Sequence, residues 1–182
     1  MPRLQSPGGA KDLSTPLGFR LFSKSAITSA KGNQMGQSFT NLLYHIVFST
    51  KNRNPIITPE IQERLYEYMG GVIRNEHGVL LEIGGVADHV HLLVKIHPSK
   101  AVADFMRVLK TSSSRWLHET WPDSRQFAWQ TGYGAFTVSH SIVPKVRRYI
   151  QEQEEHHRHM TFEEELIWIL EMHGVEFERQ YV

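Results

Sequence analysis

The stretch VLLEIGGVADHVHLLVKI, residues 79–96, carries the fold in miniature. Val79 to Gly84 and His89 to Ile96 are both rich in apolar and β-branched residues, and a short turn separates them, so the segment reads as a β-hairpin. Its second arm holds His89 and His91. Residues two apart in a strand face the same side, about 7 Å apart along the chain, so two imidazoles can converge on one ion.

Outward from the hairpin, the elements follow the same logic. Leu42 to Thr50, LLYHIVFST, is β-branched and aromatic and reads as a first strand. Pro55 and Pro59 break it. Thr58 then precedes a helical pattern with Ile61, Leu65, Met69, Val72 and Ile73 on one face, ended by Gly78. After the hairpin, Pro98 is expected to open a second helix with Val102, Phe105, Leu109 and Trp116 inward. Arg107, Lys110 and Ser114 recur on another face of it. Phe127 to Ser139, FAWQTGYGAFTVS, reads as a fourth strand, with Gly132 and Gly134 permitting a bend. The order β-α-β-β-α-β predicts an α+β fold with a ferredoxin-like, split βαβ antiparallel sheet. Helices on one face would leave the other free for a site.

A third helix is expected from Lys145 to about His157. A fourth should start at Thr161, where TFEE offers a capping box, and end near Gly174. Residues 1–34, rich in Gly, Ser, Pro and Lys, read as a disordered leader, with Met35 a candidate start. A basic organelle presequence is the rival reading of that stretch. Residues 35–182 form the expected domain.

Composition sets limits. The 182 residues fit one domain with extensions. The chain has no cysteine, which excludes disulfides, thiolate metal sites and a cysteine nucleophile. No apolar run approaches the roughly 20 residues of a membrane helix, so no membrane partner is expected and a cytoplasmic location is. The formal net charge of +1 conceals an uneven distribution. Residues 35–149 hold thirteen basic and nine acidic residues, whereas residues 150–182 hold two basic and nine acidic. The middle suits a phosphate backbone and the tail does not.

The second chemical signal is the run KVRRYIQEQEEHH, residues 145–157. A four-residue helical step puts Tyr149 and Gln153 on one face, with Lys145 and His156 on the same stripe. Either signal alone has an ordinary explanation: a chance His-x-His, or an amphipathic helix whose tyrosine packs on the sheet.

Together, the hydrophobic-spaced histidines on a strand, the basic helix, the Gly-rich strand and the Tyr-x-x-x-Gln helix are more specific. With YHIVFSTKNR, DHVHLLVKI, FAWQTGYGAFTVS and YIQEQEEHH in that order, residues 35–160 resemble the small single-tyrosine HUH transposases of the insertion-sequence-200 kind. The resemblance implies a C-terminal nucleophile helix, with Tyr149 attacking a phosphodiester of single-stranded DNA to leave a 5′-phosphotyrosine and a free 3′ hydroxyl. It implies that His89, His91 and Gln153 hold a divalent metal, Mg²⁺ or Mn²⁺; imidazoles alone would equally suit Zn²⁺ or Ni²⁺. It also implies a hairpin of single-stranded DNA as partner and a homodimer. The segment Ser139 to Pro144 suits a linker, so the nucleophile helix is expected to cross to the partner's histidines, with packing on its own sheet as the alternative.

A phenol has a pKa near 10 and is a weak nucleophile at neutral pH without help, which fits a metal-assisted reaction. Lys51, Arg53, Arg107 and Lys110 are the candidate phosphate contacts. Trp129, Tyr133 and Phe136 are the candidate base-stacking groups. Two rivals stand beside the transposase: a non-mobile HUH nuclease that processes chromosomal hairpin repeats, and a non-enzymatic binder of single strands. Asp88, the one carboxylate beside the histidines, is expected to point away by strand alternation.

Overall fold

The computed structural model describes residues 38–121 and 124–182; the expected leader lies outside them. The elements in order are β1 (Leu43–Ser49), α1 (Pro59–Asn75), β2 (Val79–Val86), β3 (His89–Lys95), α2 (Val102–Thr120), β4 (Gly134–Thr137), α3 (Val143–Gln151), α4 (Gln153–His156) and α5 (Phe162–Met172). The four strands form one sheet in the order β2-β3-β1-β4, and every neighbouring pair is antiparallel. This is the split βαβ arrangement that the element order predicts.

Strand alternation divides the side chains between two faces. Ile46 and Phe48 of β1 and Val90, Leu92 and Val94 of β3 point to the face covered by α1 and α2. There they meet Leu65, Met69, Ile73, Phe105 and Leu109 in the main core. Burying each such side chain contributes roughly 1.5–3 kcal/mol, so this layer fixes the sheet.

The opposite face is covered rather than free. On one part of it, Leu43, Leu93 and Val138 pack against Ile150 of α3. On another, Val47 and Phe136 pack against Phe162 and Ile169 of α5. His45, His89 and His91 share this face and are buried beneath those helices.

In this single chain α3 lies on β2 and β3 of its own sheet. Gly84 makes the close approach possible, because a β-carbon there would overlap the Ile150 carbonyl and sit 3.0 Å from its side chain.

Three boundaries differ from expectation. The second helix begins at Val102 rather than Pro98, because residues 97–100 close a separate turn in which Lys100 N–H donates to the His97 carbonyl (2.9 Å). The fourth strand shortens to Gly134–Thr137. The carbonyls of Gln130 and Gly132 accept from Lys110 Nζ instead of joining the ladder, and Trp129 keeps only an isolated bridge to Thr50. The third helix is interrupted at Glu152 (φ −94°, ψ 15°), which separates α3 from α4. The capping box at Thr161 and Glu164 is present as expected.

Candidate active site

β3 delivers two imidazoles, and each is oriented from behind. His89 Nδ1 lies 2.7 Å from Asp88 Oδ1. His91 Nδ1 lies 2.9 Å from His45 Nε2, on the neighbouring strand β1. Asp88 therefore turns toward the histidines, contrary to expectation. It sits in the β2–β3 turn, where strand alternation does not apply. Both ligand candidates are fully buried. Hydrogen-bond partners of this kind hold a ring's tautomer and rotation.

The α3–α4 segment delivers three more groups at four-residue steps: Tyr149, Gln153 and His157. Gln153 Oε1 lies 3.3 Å from His89 Nε2 and 3.1 Å from His157 Nε2. The Tyr149 ring stands edge-on to His45 and His91, each at 5.9 Å between centroids. The structure thus brings His89, His91, Tyr149 and Gln153 into one cluster.

α5 adds a carboxylate. The Tyr149 hydroxyl donates to Glu165 Oε1, and Gln153 Nε2 donates to the same oxygen at 2.9 Å. Glu165 Oε2 faces the imidazoles, 3.1 Å from His157 Nε2, 3.3 Å from His91 Nε2 and 3.6 Å from His89 Nε2. Glu165 is itself fully buried. An isolated buried carboxylate is costly, so the site is built to keep positive charge beside it.

The protonation behaviour follows. Burial alone would raise the Glu165 carboxyl, but the imidazoles of His157 and His91 beside it hold it well below the ordinary carboxylate range. Burial lowers His91, and with the nearby His91 it brings His45 down to about 3. Burial would also lower His157, but Glu165 raises it above the usual imidazole value. Burial raises the Tyr149 phenol far above its ordinary value, and the Glu165 charge raises it further.

The donor set fits a metal ion. One ligand atom from each of His89, His91, His157 and Glu165 falls within 4.8 Å of all the others. His91 Nε2 is buried without a hydrogen-bond partner, since its approach to Glu165 is not aligned for one. A cation at the common point would satisfy it.

The expected DNA contacts fare unevenly. Lys51 is exposed. Arg53 is paired with Glu163 of α5 at 3.1 Å, and Arg107 with Asp104 at 3.3 Å. Lys110 Nζ donates to Gln130 and Gly132 and lies 5.6 Å from the Tyr133 ring centre. Burial lowers its pKa to about 8. Arg107, Lys110, Ser114, Arg115 and Tyr133 line an open groove beside α2. Trp129 and Phe136 are buried, so of the three aromatics expected to stack bases only Tyr133 is exposed. Trp129 instead donates its indole N–H to Ser113 at 2.9 Å.

His45, His157 and Glu165 were not expected from the sequence. His157 continues the four-residue step from Tyr149 through Gln153, a usable signal. Glu165 reaches the site only because α5 folds back over the sheet.

Residues 38–153 match a family model described as IS200-like transposase. The ISDra2 transposase TnpA of Deinococcus radiodurans is 26% identical over 117 residues, covering 62% of this chain and 84% of that protein. The transposase for insertion sequence element IS200 of Salmonella typhimurium is 33% identical over 119 residues, covering 62% of this chain and 77% of that one. A crystal structure of a candidate transposase from Deinococcus radiodurans superimposes with a TM-score of 0.54 at 24% identity. It covers 66% of this chain and 98% of that one.

Proposed function

The chain belongs to the IS200-like transposase family, and from that premise we propose that it cleaves and rejoins single-stranded DNA through Tyr149. The observation that carries this reading is the Tyr149 hydroxyl, held in one buried cluster with His89, His91 and Gln153. A nucleophile beside a convergent donor set is what phosphoryl transfer requires.

His89, His91 and Gln153 would hold a divalent ion, Mg²⁺ or Mn²⁺. The imidazole donors favour Mn²⁺ of the two. Bound there, the ion would polarise the scissile phosphate and offset its developing charge. Asp88 and His45 keep the two strand imidazoles turned inward. α3 holds the phenol on the same side of the sheet.

In the cleavage step, the Tyr149 oxygen forms a bond to phosphorus and the bond from phosphorus to the 3′ oxygen breaks. The phenol already donates to Glu165, which is the nearest acceptor for its proton. The departing 3′ oxygen takes up a proton and leaves as a hydroxyl. Rejoining reverses these changes when a 3′ hydroxyl attacks the phosphotyrosine, so the bond energy is retained.

The substrate is a single strand folded into a hairpin, gripped along the groove that holds Lys110, Arg107 and Tyr133. A C₂ homodimer would supply the two tyrosines that excision and joining need.

Covalent capture tests the reading. Labelled hairpin DNA with Mn²⁺ should yield a protein–DNA adduct that survives denaturation, and both chelator and Tyr149→Phe should remove it. An undiminished adduct in the Tyr149→Phe protein would overturn the assignment.

A further inference from the structure

We propose that His157 and Glu165, which lie beyond the family-matched segment, are metal ligands, and that the Glu165 carboxylate ties the nucleophile to the metal centre. The proposal rests on the reading that His89 and His91 hold a divalent cation.

The ring orientations carry the argument. His89 Nδ1 faces the Asp88 carboxylate at 2.7 Å, and His157 Nδ1 faces the Met160 carbonyl at 2.8 Å. A carbonyl and an ionised carboxylate accept hydrogen bonds and donate none. Each neutral ring therefore keeps its N–H at Nδ1 and presents a lone pair at Nε2. Both lone pairs point toward Glu165 Oε2, which carries lone pairs of its own. His91 Nε2 joins them, buried and without a hydrogen-bond partner. Four donors facing one another repel unless a cation sits between them.

The spacing agrees. Donors bound to one first-row ion at about 2.0–2.2 Å lie roughly 3–3.5 Å apart. Glu165 Oε2 lies 3.1, 3.3 and 3.6 Å from the three imidazole nitrogens.

The two oxygens of Glu165 divide the work. Oε2 faces the imidazoles, while Oε1 accepts from the Tyr149 hydroxyl and from Gln153 Nε2. One rigid carboxylate thereby sets the distance between the attacking oxygen and the metal. It also makes α5, outside the matched residues 38–153, part of the active site. The competing arrangement has no metal at Glu165: a doubly protonated His157 would neutralise the carboxylate by itself.

Mn²⁺ binding to the full chain distinguishes the two, by calorimetry and by pulsed electron paramagnetic resonance. Glu165→Gln keeps the shape and removes the charge. It should weaken Mn²⁺ binding by about tenfold or more, whereas Tyr149→Phe should change it by less than about twofold. The spectrum of the unaltered protein should show three coupled imidazole nitrogens, and His157→Ala should remove one. The nitrogen count needs no variant to fold. A count of two, or Glu165→Gln binding Mn²⁺ as tightly as the parent, would overturn the proposal. If His89→Ala abolishes binding while Glu165→Gln leaves it unchanged, this inference fails and the metal reading stands. If the parent binds no Mn²⁺, both fail.

Discussion

Tyr149 is held as a neutral phenol by burial and by the Glu165 charge beside it. In the proposed reaction, attack would depend on what faces the phenol rather than on its intrinsic acidity, and Glu165, in contact with it, would take its proton. Lys110 presents the opposite case, a cation pushed toward neutrality by burial, to about 8. Below that value it is charged and can meet a phosphate; above it the charge is lost. Hairpin affinity should therefore fall as pH rises from 7 to 9, beyond the change seen at sites distant from α2. Lys110→Arg should flatten this dependence, because a guanidinium stays protonated throughout. Fluorescence anisotropy at constant ionic strength checks both. A wild-type profile identical to that of Lys110→Arg would remove Lys110 from the interface.

At the scale of elements, the α3–β2 contact is the most sensitive joint. Gly84 leaves no room for a β-carbon against the Ile150 carbonyl, so Gly84→Ala must push α3 away from the sheet. The expected cost is about 1–3 kcal/mol, read as a lower denaturation midpoint. Cleavage should fall more than Mn²⁺ binding, because His89 and His91 ride on β3 and Tyr149 rides on α3. Full cleavage in Gly84→Ala would mean that the phenol does not need this seat. The same contrast explains what was legible beforehand. His89 and His91 follow from strand alternation, and Tyr149 with Gln153 from the helical step, both local rules. Asp88 was misread because a turn residue does not obey alternation. Trp129 and Phe136 looked like stacking groups, but an aromatic's exposure depends on what packs over it. Glu165 had no local signal: tertiary docking alone brings it to Tyr149, sixteen residues earlier.

For the whole molecule, the sheet, both strand imidazoles and the Tyr149 helix lie together within this one chain. Each subunit of a dimer would then carry a complete site. Mixing Tyr149→Phe chains with chains bearing His89→Ala and His91→Ala tests this, since every site then lacks an essential group. Purified mixed dimers should be inactive. Restored single cleavage would show that the helix crosses between subunits, as the Ser139–Pro144 linker first indicated.

If Tyr149 carries the 5′ phosphate of the cleaved strand, end-labelled DNA will reveal it. Hairpin DNA labelled at its 3′ end should leave that label on the protein after denaturation, and peptide mapping should place it on Tyr149. The same DNA labelled at its 5′ end should release a free fragment ending in a 3′ hydroxyl. Retention of the 5′-end label, or an adduct mapped to another residue, would rule out a 5′-phosphate link to Tyr149.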